Sequence, residues 1–179
     1  MDRSICVPRA VFVLIPCLFV FSVSMLVERR PPLATITKSI DIDAPVEKVF
    51  DLLNDPKRVP EYTPGVTSVE DVRQSEQHIG DSFRATYAVL GLHFPMTFTV
   101  TGYEQPTKLS TRFEGGMKGT WLWQLEPRGN STHLTTQMEY EMAGGILGKA
   151  MNAMLVERMN EKNAEQLLEN LKLVSEATP

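Results

Sequence analysis

The side chains able to do chemistry are few. Three histidines, His78, His93 and His133, lie far apart in the chain. They lack the His-x-x-x-His or Cys-x-x-Cys spacing that sets two ligands on one metal. Cys6 and Cys17 both fall in the first thirty residues. The remainder therefore has no thiolate for a metal, a disulfide or nucleophilic attack. Tyrosines and arginines are left. Tyr87 and Tyr140 stand in register with apolar residues, which aims both hydroxyls inward. Arg84 and Arg112 alternate with apolar neighbours, which aims both outward. An arginine such as Arg112, buried beside two tyrosines, polarises a carbonyl and assists proton transfer, as an aldol cyclisation requires. Against that, a tyrosine at the edge of a core commonly packs its ring and satisfies one hydrogen bond. Tyr87, Tyr140 and Arg112 are the catalytic candidates, and none is assigned. Nothing calls for a metal or another cofactor.

The elements that position these groups follow from periodicity. Leu33 to Asp43 alternates, with Ile36, Ile40 and Ile42 on one face, which predicts a half-buried strand. Pro45 and Glu47 then suit the first turn of a helix, and Val46, Val49, Phe50 and Leu53 give its apolar spacing. Asn54-Asp55-Pro56 breaks it. Lys57 to Tyr62 predicts a second short helix, stopped by Thr63-Pro64-Gly65. From Val66 to Met142 the pattern is strand and turn throughout, which predicts an antiparallel meander. After Gly144-Gly145, residues 146 to about 175 read as one helix with an apolar stripe that thins around Glu161 to Asn163. At about 1.5 Å per residue it is about 45 Å long. A helix of that length must lie on something apolar, and the meander is the surface of that size.

The expected architecture is α+β: a curved antiparallel sheet of about seven strands wrapped around a long C-terminal helix, with two short helices after the first strand. Such a sheet does not close tightly along a whole helix, and the space left is a cavity. Its expected walls are Phe83 and Tyr87, then Phe94, Met96 and Phe98, then Phe113. Trp121, Trp123, Met138 and Tyr140 continue the inward face, and Leu147, Met151, Met154 and Leu155 face it from the last helix. The two tryptophans share a face, and either stack on a ligand ring or belong to the sheet core. The methionines suit an adaptable wall, and equally a core with irregular gaps.

Several strings resemble a known family. Ser39-Ile40-Asp41-Ile42-Asp43-Ala44-Pro45-Val46-Glu47-Lys48-Val49-Phe50 is one, and Asp55-Pro56 through Tyr62-Thr63-Pro64-Gly65-Val66 is another. With the Gly-rich approach to Trp121-Leu122-Trp123 and the Gly144-Gly145 entry to the last helix, residues 33 to 176 resemble the START-like, or helix-grip, superfamily. Within it they are similar to the SRPBCC group, the polyketide cyclase/dehydrase and lipid-transport proteins. The resemblance implies an apolar or amphipathic ligand under the C-terminal helix: a lipid, a quinone or an aromatic polyketide-like compound. It implies no universal catalytic motif. A cyclase or dehydratase and a protein-interaction module are the alternatives, since fold does not fix function.

Residues 1–30 form a separate apolar segment ahead of a domain at residues 31–179. Residues 10–27 carry no charge and sit at the lower edge of what spans a bilayer, about 18 residues. Three readings stay open: a membrane anchor, a cleaved export signal, or an upstream extension of a cytoplasmic protein that starts at Met25. The formal net charge of -4 argues against nucleic acid as the partner, because phosphate binding needs a basic surface. Asn130-Ser131-Thr132 matches a glycosylation sequon, relevant only in a eukaryotic secretory lumen.

Overall fold

The computed structural model describes residues 34–89, 91–142 and 153–177, the side chains of 89, 142 and 153–157 excepted. Strand β1 (Ala34–Ile42) is followed by helix α1 (Val46–Asn54), a 3-10 turn (Pro56–Arg58) and helix α2 (Val59–Tyr62). Six strands come next: β2 (Val66–Arg73), β3 (Ser82–Val89), β4 (Leu92–Glu104), β5 (Lys108–Gly115), β6 (Met117–Arg128) and β7 (Ser131–Met142). Helix α3 (Ala153–Ala177) ends the described chain. The strands form one antiparallel sheet in the order β1-β7-β6-β5-β4-β3-β2. This is the helix-grip architecture the alternation predicts. Leu147 and Met151 lie outside the described residues, and Met154 and Leu155 belong to α3 with side chains that do.

The inward face carries the core. Ile36 and Ile42 of β1, Ala85 of β3, Met96 and Phe98 of β4, and Leu109 and Phe113 of β5 are buried. So are Trp123 and Leu125 of β6 and Leu134 and Tyr140 of β7. Val46, Val49, Phe50, Leu52 and Leu53 bury one side of α1 against them. The start of α1 corrects one expectation. Pro45 itself is the N-cap, without a side-chain cap, and the backbone N–H of Asp43 donates instead to Glu176 Oε1 at 2.8 Å.

Helix α3 is pinned along β1 and α2. Leu167, Leu168 and Leu171 are buried on its inner side. Lys38 Nζ meets Glu165 Oε1 at 2.7 Å, Lys172 Nζ donates to the Asp41 carbonyl at 2.7 Å, and Asn170 Nδ2 donates to the Tyr62 carbonyl at 3.3 Å. Thr132, fully buried, donates to the Ala44 carbonyl at 2.7 Å and ties the β1–α1 corner to β7. That burial places the last residue of the sequon inside the sheet.

Gly119 makes room for the rings around it. It stands opposite Phe113 on one side and Tyr140 on the other. A Cβ there would run into the Glu139 carbonyl oxygen and lie 2.8 Å from both Phe113 Cζ and Tyr140 Cα. Two of these are backbone atoms, so relief needs the strands to part. Gly119→Ala is expected to destabilise by about 1–3 kcal/mol, measured as a lower urea midpoint with an unchanged slope.

A surface cluster joins β1 to β7. His133 Nδ1 donates to Asp41 Oδ1 at 2.6 Å, and Arg128 Nη1 to the same oxygen at 3.1 Å. The His133 bond first, then the Arg128 charge, holds the Asp41 carboxyl below its ordinary 3.8. A depressed carboxyl stabilises the fold above its unfolded value, and that contribution is lost as pH falls through the folded one. Asp41→Asn is therefore expected to flatten the stability profile below pH 3.8. Urea midpoints across pH 2 to 6 read this, and an unchanged acid limb defeats it.

Candidate functional site

A cavity opens between the first helices and the sheet. Leu53 and Asn54 end α1 above it, Pro56, Val59, Tyr62 and Thr63 follow, and the concave side supplies Phe83, Tyr87, Phe98, Leu109, Thr111, Trp121 and Trp123. The cavity volume is ≈ 50 Å³, within ≈ 520 Å³ of non-atom space that includes open solvent. A volume of that size holds a few waters; a benzene-sized guest takes a cavity on the order of 150 Å³. Anything larger than a small ring extends through the open part in this geometry.

Residues 147 and 151, and the side chains of 154 and 155, expected over the cavity from the long helix, lie outside the described ones. Farther along α3, Leu167, Leu168 and Leu171 fill the space between that helix, β1 and α2. Of the expected wall residues, Phe83, Tyr87, Phe98, Trp121 and Trp123 line the cavity. Met96, Phe113 and Tyr140 are buried in the sheet core, Met138 is packed at its edge, and Phe94 is half-buried in β4.

The breaker-rich string after α1 brings two tyrosines together. Asp55 Oδ1 accepts from Lys57 N at 3.0 Å and starts the 3-10 turn. Arg58 grips Glu61 through Nε and Nη2 and holds α2. Gly65 then turns with φ 81°, the left-handed region glycine favours. Its carbonyl accepts from Ala88 N at 2.7 Å, and Val66 pairs with Tyr87. Tyr62 thus ends α2 a few residues before the strand that lies against Tyr87.

The walls are aromatic and uncharged. Trp121 and Trp123 stack with centroids 5.0 Å apart, and Phe83 and Phe98 stack at 5.0 Å. The Trp121 indole N–H donates to Thr136 Oγ1 at 2.6 Å. Asn54 Nδ2 donates to Tyr103 Oη at 3.4 Å. Arg112 is exposed and paired with Glu114 at 3.2 Å, on the opposite face of β5 from Thr111. The Arg112–Tyr87–Tyr140 constellation does not assemble: the arginine is outside, and Tyr140 is not a lining residue. Arg84 is likewise exposed and pairs with Asp71 at 3.0 Å. Among the described residues no group of three or more metal-capable side chains occurs.

Tyr62, Thr111 and Leu109 are lining residues that the sequence does not single out. Thr111 and Leu109 share the inward alternation with Phe113, so strand pattern alone is enough to find them. Tyr62 sits among helix breakers, where no periodicity says which way a ring turns.

The tyrosine hydroxyls are unusual. Among the described residues neither Tyr62 Oη nor Tyr87 Oη has a hydrogen-bond partner. Neither belongs to the sealed, unpartnered atoms, which are Asn160 Nδ2 and Ser175 Oγ. Both residues line the cavity. Burial pushes both phenols well above their ordinary 10, and Tyr87 pushes Tyr62 up further.

A helix-grip sheet with an apolar, aromatic-walled cavity defines a START-like protein. Residues 34–176 match the family model described as polyketide cyclase/dehydrase and lipid transport, and the chain belongs to that family. The chain matches no curated protein by sequence. Solved structures share the fold. A START superfamily protein from Mycobacterium smegmatis superposes with TM-score 0.67 at 16% identity, over 79% of this chain and 97% of that one. A protein from Thermus thermophilus gives 0.65 at 23%, over 79% and 97%. The Zhui aromatase/cyclase from Streptomyces sp. R1128 gives 0.66 at 17%, over 81% and 94%. Family and fold fit apolar-ligand binding or cyclase-type roles. Among the described residues no helix is long and apolar enough to cross a membrane; the span expected at residues 10–27 lies outside them.

An acid group whose folded pKa is raised stabilises below its unfolded value and loses that contribution as pH climbs above it. The fold is therefore expected to weaken above about pH 10. In a spectrophotometric titration of the folded protein, Tyr62→Phe and Tyr87→Phe should leave the phenolate absorbance at pH 10 unchanged. A loss of amplitude in either variant contradicts the raised values.

Proposed function

We propose that this protein binds an apolar small molecule in the cavity between its first helices and the concave sheet. The observation that carries the reading is the wall itself: stacked tryptophans, stacked phenylalanines and leucines, with no charged side chain among the described lining residues. Concave, mostly apolar sites with a few convergent polar groups are what small-molecule binding uses. A lipid, a quinone or an aromatic polyketide-like compound fits this chemistry. The small cavity volume suits a ring system or a chain end, the rest of the guest reaching out through the open side.

A cyclase or dehydratase is the second reading, supported by two phenols open to the cavity and by the fold shared with an aromatase/cyclase. It is weaker, because among the described lining residues there is no arginine, histidine or carboxylate to move a proton. Residues 10–27, read as a membrane anchor, add the proposal that the domain works beside a lipid source.

The test is native mass spectrometry of the purified protein, followed by denaturing extraction and a thermal-shift screen. A ligand that binds only the folded state raises Tm by mass action, by about 2.7 kcal/mol of stabilisation at a hundredfold excess over Kd. A co-purified apolar compound, or a Tm rise with quenched Trp121 and Trp123 emission, is the expected outcome. No bound mass and no shift across quinones, fatty acids, sterols and polycyclic aromatics overturns the reading.

A further inference from the structure

Tyr62, Tyr87 and Thr111 line a mostly apolar cavity, whose other described polar side chains are Asn54, Thr63 and the two tryptophan indoles. Among the described residues none of their hydroxyls has a hydrogen-bond partner, and none is sealed from accessible space. A hydroxyl taken out of bulk water without a partner is unfavourable. A wall that served only as core gains by carrying Phe, Phe and Val at these places. The three hydroxyls are therefore directed at something that enters the cavity. Two of them are phenols held protonated far beyond neutral pH, so they present donors.

The surrounding charges narrow what enters. Arg58 is turned onto Glu61, Arg84 onto Asp71 and Arg112 onto Glu114. Among the described lining residues a carboxylate or phosphate meets no cation, and an ammonium meets no carboxylate. Burying an unpaired charge is strongly unfavourable.

We infer that Tyr62 and Tyr87 act as a paired hydrogen-bond donor that selects, among apolar guests, uncharged ring compounds bearing a carbonyl-type acceptor. This rests on the cavity's being an apolar binding site and adds which member of that class it prefers. Thr111, on β5 opposite the first helices, supplies a third hydroxyl for a second oxygen on the same guest.

The experiment is isothermal titration of the full chain near pH 7 with four congeners: 2-ethylnaphthalene, 2-acetylnaphthalene, 2-naphthoate and 2-naphthylmethylamine. The ketone is expected to bind about tenfold tighter than the hydrocarbon, the gain of one or two hydrogen bonds. Both ions are expected to bind weaker than the ketone. Tyr62→Phe and Tyr87→Phe should each remove about threefold of the ketone's advantage. They should not weaken 2-ethylnaphthalene binding as they weaken the ketone's, and their Tm should be equal to or above that of the parent, because the lost hydroxyls have no protein partner. Equal affinity for ketone and hydrocarbon, tighter binding of either ion, or an advantage that survives in the double Phe variant overturns the inference while leaving the cavity a binding site. Failure of hydrocarbon and ketone alike overturns the binding reading itself. The wild-type comparison decides the matter even if a variant fails to fold.

Discussion

Across the concave face, Tyr140, Gly119, Phe113, Phe98 and Phe83 stand directly opposite one another on five successive strands. Phe98 lies 5.8 Å from Phe113 and 5.0 Å from Phe83, centroid to centroid. The inner side of a curved sheet has less room for side chains than its backbone spacing suggests. One empty position in the row lets the rings on either side share that room, and Gly119 is the empty position. Interiors are close-packed, so a row set this way dictates what lies beside it. On one flank Met96 and Ala85 are buried. On the other come Trp121, Thr111 and Val100, then Trp123, Leu109 and Tyr103. The cavity lies where these flanking rows meet the first helices.

Two of the sheet's covers behave differently. Helix α3 seals its part with leucines and is held by Lys38, Lys172 and Asn170. The segment from Asn54 to Gly65 spans its part loosely, as a 3-10 turn and one short helical turn. Breaker residues such as Pro56, Pro60 and Pro64 fix a backbone path without filling volume beneath it. A tightly sealed side next to a loosely bridged one is how a single domain keeps a stable core and an accessible site at once.

The polarity of the site is set by absence as much as presence. Arg58, Arg84 and Arg112 are each engaged by a carboxylate on the outer surface, which leaves hydroxyls and one amide as the polar groups inside. Hydroxyls without partners are a stability sacrifice of the kind that functional sites retain. Tyr103 extends the network outward. Its ring stacks on His78 at 4.1 Å and meets Phe50 edge-on at 5.3 Å, and its hydroxyl takes the Asn54 amide. The loop before β3 is thereby joined to the end of α1 at the cavity rim.

Strand alternation made the sheet legible from residues alone, because side chains on a strand have a period of two and one face must be apolar. The inward set of Phe83, Tyr87, Phe98, Trp121 and Trp123 follows directly, as does the outward set of Arg84 and Arg112. The two short helices were legible from Val46, Val49, Phe50 and Leu53 and from the prolines that stop them. What local pattern could not reveal was which cover leaves a gap. Leu167, Leu168 and Leu171 announce a buried helix face but not that β1 and α2 are what it packs on. Tyr62 lies among helix breakers ahead of β2, and the β2–β3 pairing, with Val66 opposite Tyr87 and the Gly65 carbonyl on Ala88 N, brings the two together. Alternation and amphipathic spacing are local properties, carried by neighbours in the chain. The volume of a cavity and the partners of a hydroxyl are sums over residues distant in sequence, which only the tertiary structure sets side by side.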